Sequence, residues 1–213
     1  MRKKKLLLSL LLILLCAASV SLFLDTSPSV EAVREDLSEH ILRFHVLANS
    51  DSEEDQALKL QVKSAVLEYL EQEIPQDADL KETKDLIRSR WNAIHDLAVS
   101  VITAAGKDYP VSLYLEPWYF PTKTYGDLTF PCGTYDAFRI VIGEGEGQNW
   151  WCVLYPSLCF VDSTYSVVPD ESKARLGAIL KEDTYDALRG QNAESDTKPK
   201  ISFRLFEFFS SLF

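Results

Sequence analysis

Apolar residues recur at helical spacing between the acids at 51–55 and Pro75. Leu58, Val62, Ala65, Val66 and Tyr69 form one stripe, and Lys59, Gln61, Lys63 and Glu68 occupy the other side. Ser50 with Glu53, or Asp51 with Glu54, offers a capping box at the start, and the acids there suit a helix N-terminus. A second stripe, Ile87, Trp91, Ile94, Ala98, Val101, Ile102 and Ala105, predicts one helix over roughly 81–105, with Gly106 as its C-cap. The short connection at 75–79 predicts that the two helices lie antiparallel.

Elsewhere the period is two. Residues 41–49 (ILRFHVLAN) read as a strand before the first helix. After Gly106, Val111, Leu113 and Leu115 alternate with polar or aromatic neighbours, and Pro117 should stop that strand. Residues 122–130, 136–143 and 149–154 are three further runs, separated by Gly126-Asp127, by Pro131 with Gly133, and by the GEGEG turn at 143–147. The pattern predicts an α+β fold, two antiparallel helices packed on one face of a mostly antiparallel sheet. Residues 163–168 fit no single pattern, and Pro169 can open a helix running to Leu188.

The ends differ in character. Arg2, Lys3, Lys4 and Lys5 precede an apolar run over 6–24, the form of a secretory signal or an uncleaved anchor. Cleavage would follow Ala18 or Ala32, and Leu15 before Cys16 speaks against a lipoprotein. This divides the chain into a signal or anchor with spacer over 1–32, one globular domain over 33–188, and a polar linker with an amphipathic tail over 189–213. The tail, ISFRLFEFFSSLF, would lie on a membrane or dock on its own domain.

Charge narrows the partners. Residues 2–5 hold four of the 22 bases and the first 24 residues hold no acid, so the remainder sets 32 acids against 18 bases, a net charge of −14. Such a chain repels nucleic acid and has no basic stripe. Cofactor and metal signals are equally weak. The GEGEG turn carries two acids and joins two strands, unlike a phosphate loop, and the DSEED run lacks the spacing of a calcium loop. None of His40, His45 and His95 lies in a zinc motif, and structural roles are the default for His45 and His95.

The stretch NWWCVLYPSLC carries the remaining chemistry. A four-residue loop over 154–157 would set Val153 opposite Leu158 and Cys152 opposite Cys159, within reach of a disulfide in an exported hairpin. Cys132 is left over, able to compete for either partner. Trp150 and Trp151 should point to opposite faces of their strand. One would enter the core, and the other could contact a protein or stack on a sugar ring, the alternative being that both are buried under loops or helices.

Two blocks resemble a known family. RFHVLANSDSEEDQALKLQVKSAVLEYL (43–70) and GTYDAFRIVIGEGEGQNWWCVLYPSLCFVD (133–162) are similar to the signatures of stage II sporulation protein R, and the resemblance covers roughly 35–180. It implies a protein made in the forespore, exported into the space between the sporangial membranes, that triggers a membrane-embedded aspartic protease to process pro-sigma-E in the mother cell. It implies no catalytic residues and no cofactor. Under this reading Trp150, Trp151, Asn49 and Asp51 are the candidate partner contacts, and membrane contact would run through the N-terminal segment or the tail. The competing class is an exported cell-wall-active hydrolase, with Cys152 as nucleophile or acids as general acid and base, or a cell-wall-binding protein.

Overall fold

The structure is a computed structural model, and it describes residues 28–159 and 168–194. The N-terminal signal or anchor segment, the C-terminal tail and most of residues 163–168 lie outside these. Among the described residues no helix is long and apolar enough to cross a membrane.

The elements run α1 (Val30–His40), β1 (Leu42–Leu47), α2 (Glu53–Glu73), α3 (Leu80–Ser89), α4 (Trp91–Ala104), β2 (Val111–Phe120), β3 (Lys123–Tyr125), β4 (Leu128–Phe130), β5 (Gly133–Ile142), β6 (Asn149–Tyr155), α5 (Asp170–Ile179) and α6 (Glu182–Glu194). Four strands form one sheet in the order β2-β5-β1-β6, and β3 and β4 form a separate hairpin. β2 and β5 run antiparallel, as do β1 and β6, while β1 and β5 are parallel at the centre. The class is α+β with a mixed, mostly antiparallel sheet.

Strand alternation gives this sheet two faces. On the first, Phe44, Val46, Phe138 and Ile140 pack against Leu58, Val62 and Val66 of α2 and against Ile94, Ala98 and Ile102 of α4. This is the helix pair expected from the sequence. The second face is also covered, which the pattern did not anticipate. There Val33 and Leu37 of α1, Leu128 and Phe130 of β4, Leu176 of α5 and Leu188 of α6 close over Ala137, Tyr135 and Val153.

Local chemistry moves several boundaries. The N-cap of α2 is Ser52, whose hydroxyl accepts from Asp55 N at 3.2 Å. Neither Ser50 nor Asp51 serves, because Ser50 Oγ donates to the Asp55 carboxylate and Asp51 Oδ1 accepts from Gln148 N. The helix expected over 81–105 breaks at Arg90 (φ −99°, ψ 10°). At the break Ser89 Oγ donates to the Leu86 carbonyl and Arg90 reaches Glu73. The helix expected to run from Pro169 to Leu188 is two, because Lys181 N leaves the helical ladder to donate to buried Asp36. α6 then continues to Glu194.

β2 does not stop at Pro117 but continues to Phe120. Gly143 N donates to the Pro110 carbonyl, so even-numbered residues of β2 face β5 and odd-numbered ones face away. Pro117 is odd-numbered and on an edge strand, where a missing N–H costs no ladder bond.

The turn after β5 is pinned by one side chain. Asn49 Nδ2 donates to Asp55 and Asn49 Oδ1 accepts from Glu144 N at 3.1 Å. Gly143 holds φ +59°, and a Cβ there would lie 2.1 Å from Asn49 Oδ1. Gly143→Ala should therefore cost about 2 kcal/mol or more. A loss of only about 1 kcal/mol, the cost of the left-handed backbone alone, would show that the Asn49 contact yields freely and does not fix this turn.

Candidate functional site

The sheet register places four side chains in one line. Tyr114 lies opposite Arg139, Arg139 beside His45, and His45 opposite Trp151. All four sit on the second face, so the line crosses the sheet from the edge strand β2 to the edge strand β6. Its members touch in two groups. The Arg139 guanidinium lies 3.5 Å from the Trp118 ring centroid and 4.7 Å from that of Tyr114, and Arg139 also pairs with Glu116 at 2.9 Å. The His45 ring stacks on Trp151 at 3.7 Å, and the edge of Phe120 meets Trp151 at 4.8 Å.

His45 is buried, and desolvation, with the nearby charges of Arg139, Arg43 and Lys59, pushes its pKa down to about 4 against the hydrogen bond to Asn149. The ring is therefore neutral at pH 7. Its Nε2 lies 2.7 Å from Asn149 Oδ1, and Nδ1 has no hydrogen-bond partner among the described residues.

Arg43, next on the same face of β1, is fully buried. Its guanidinium carbon lies 4.5 Å from the Phe120 centroid, 5.5 Å from Phe130 and from Tyr135, and 5.8 Å from Tyr125. Nη2 donates to the Tyr125 hydroxyl at 3.2 Å, and among the described residues no ion pair forms. Burial works against the charge and lowers its pKa, while Tyr125 and Tyr135 work for it. The face of four rings replaces the missing carboxylate.

The two tryptophans point to opposite faces, as strand alternation requires, and both are half-buried. Trp150 meets Phe44 edge-on, and Lys63 Nζ sits 4.8 Å from its ring. A cleft of about 600 Å³ opens beside β6 between α2 and the β3–β4 turn, lined among others by Lys63, Glu68, Tyr125, Trp150 and Trp151. Both tryptophans therefore border one opening although they belong to different faces. Asn49 and Asp51 lie apart from this cleft, at the β1–α2 turn, and the bonds described above tie them to the segment before β6.

Cys152 and Cys159 form a disulfide with Cα atoms 5.1 Å apart. The turn between them closes through Leu158 N to the Val153 carbonyl, the residue pair expected, and its Tyr155–Pro156 peptide is cis. The hairpin itself is not formed among the described residues. β6 pairs with β1 instead, and residues 156–159 are turn rather than strand. Among the described residues Cys132 keeps a free thiol, near Tyr119, Arg34 and Thr122, whose hydrogen bonds lower its pKa against the effect of burial. Cys152 faces α2, whereas His45 faces the second layer. His95 lies on α4 beside Asp96. Neither histidine forms a pair with a free thiol. Among the described residues no three His, Cys, Asp or Glu side chains are grouped to hold a metal.

Sequence reasoning passed over Arg43, Arg139, Tyr114 and Trp118. The signal for the first was present, since Arg43 and His45 alternate with Leu42, Phe44 and Val46 in a strand that is otherwise apolar.

Residues 38–165 match the family model described as stage II sporulation protein R. That span contains Arg43, His45, Tyr114, Trp118, Arg139, Trp151 and the disulfide, and stops short of α5 and α6. The chain belongs to the stage II sporulation protein R family, which gives it a role in sporulation. The Stage II sporulation protein R of Bacillus subtilis (strain 168) is 33% identical over 186 residues, covering 83% of this chain and 83% of that protein. No solved structure matches.

Three outcomes test the site. Arg43→Ala leaves a void among four rings and should cost about 3 kcal/mol or more, while Arg43→Met keeps the volume without the charge and should cost less than half of that, both read by urea denaturation. The His45 pKa is lower folded than unfolded, so wild-type stability falls as pH drops from the ordinary 6.5 to about 4. A His45→Gln variant should lose about 3 kcal/mol less across that window, and an identical pH profile would remove His45 as the cause. Thiol labelling of the denatured, unreduced protein should find Cys132 reactive and Cys152 and Cys159 blocked.

Proposed function

We propose that this protein is an exported sporulation signal that acts by binding. It leaves the forespore, enters the space between the two sporangial membranes, and triggers a membrane-embedded aspartic protease that processes pro-sigma-E in the mother cell. The observation that carries this reading is membership of the stage II sporulation protein R family over residues 38–165. The site agrees with it. Cys152 is tied up in a disulfide and cannot attack a substrate, and His45 is stacked and neutral rather than paired with a nucleophile. What the molecule offers instead is rigid aromatic surface.

A binding activator works by population shift. It must prefer the active state of the protease, and a preference of about 5.5 kcal/mol would carry the protease from almost wholly inactive to almost wholly active. Held aromatic rings suit this, because little rotamer freedom is lost when they are covered.

The test is reconstitution of the protease in vesicles with its pro-sigma-E substrate on one side and this protein on the other. Cleavage should depend on the protein, and equal cleavage without it would overturn the reading. In the same assay Trp150→Ala or Trp151→Ala should reduce cleavage at least about tenfold, measured well below a melting transition that both substitutions lower because each ring packs on a core cluster. Full cleavage with both variants would take the β6 tryptophans out of the contact surface.

A further inference from the structure

We infer that the outer edge of β2 is a docking edge for an extended, cationic segment of the partner, which would add as a fifth strand to the sheet. The inference rests on the binding reading above and adds the surface and the form of the contact.

Five large hydrophobic residues are exposed among the described ones, and three of them, Tyr114 (37%), Trp118 (41%) and Tyr119 (59%), lie on this one strand. Such clustering on a single edge marks a contact surface rather than scattered exposure. Tyr114 and Trp118 are also pre-positioned. Arg139, itself almost fully buried, lies beneath both rings and is fixed by Glu116. Trp, Tyr and Arg in one rigid group are the residue types that dominate binding energy at interfaces.

The backbone specifies the kind of partner. The Gly143 N to Pro110 O bond sets the phase of the β2–β5 ladder, so Val111, Leu113, Leu115, Pro117 and Tyr119 turn their backbone groups outward. Among the described residues no backbone bond reaches these groups. Over 111–115 they offer the alternating donors and acceptors that an extended segment needs. Pro117 lacks an N–H and Glu116 adds charge, which guards the other half of the edge against indiscriminate strand pairing. A second copy of the chain is disfavoured, since each carries a net charge of −10. The same charge, with Glu116 half-exposed at the edge, favours a segment in which apolar residues alternate with Lys or Arg.

The test measures binding of the purified full-length exported protein to the protease reconstituted in lipid nanodiscs. The variants are Leu113→Pro and Trp118→Ala, with Leu60→Ser on the far surface of α2 as control. Leu113→Pro removes an outward N–H and no bond to β5 but also gives up the packing of Leu113 on the first-face core, so Leu113→Ala is run beside it and should bind as wild type. Leu113→Pro and Trp118→Ala should each bind at least about tenfold more weakly, and the Leu60→Ser control should bind as wild type. If wild type binds and Leu113→Pro and Trp118→Ala bind equally well, the docking edge is wrong and the functional reading stands. If wild type does not bind the protease, the functional reading falls and the inference with it. If wild type binds protease-free nanodiscs as tightly and Trp118→Ala weakens that, the edge meets lipid, and a peptide partner is ruled out.

Discussion

A single buried guanidinium, that of Arg43, is where the second layer of this protein is joined. The rings around it come from four different strands: Phe120 from β2, Tyr125 from β3, Phe130 from β4 and Tyr135 from β5. Arg43 itself belongs to β1. One cation thus gathers five strands, and it does so without a carboxylate. A paired acid would satisfy the charge locally and leave the rings indifferent to it. Rings alone make the charge depend on all of them at once, so the β3–β4 hairpin is held to the main sheet by an interaction that no single segment can supply.

That same polar row shows why half of the architecture was hidden in the sequence. The first-face core was legible because its residues repeat at clean periods, with Leu58, Val62 and Val66 on one side and Phe44 and Val46 on the other. The second face breaks the rule that polar means solvent. Arg43 and His45 alternate as an outward-facing strand should, yet both are buried. Reading them as surface leaves a sheet with helices on one side only. Pro117 misled for a related reason. Whether a proline ends a strand depends on which neighbour its nitrogen would face, and strand order is a long-range property that no local window contains.

The candidate site was partly legible. The spacing of Cys152 and Cys159 and the alternation of Trp150 and Trp151 follow from residues a few positions apart, and the structure reproduces both the bond and the opposed rings. Tyr114, Arg139 and His45 come together only through the register of three strands distant in the chain. Trp118 could be seen as an aromatic in the sequence, but its exposure and its seat on Arg139 belong to the edge position of β2. Short-range features were therefore readable, and features that need strand order were not.

The turn after β5 carries a consequence for how this family can vary. The amide of Asn49 occupies the space a side chain at position 143 would need. The two positions are thus coupled, and a smaller residue at 49 would relieve most of the steric half of the restriction on 143, its Cβ still lying 2.9 Å from the space. The other half is conformational and stays, because the backbone there remains at φ +59° whatever residue stands at 49. Drift at position 143 should accordingly be narrow, confined to glycine and the few residues that tolerate the left-handed region, and asparagine should reach it only in relatives that have first given up Asn49.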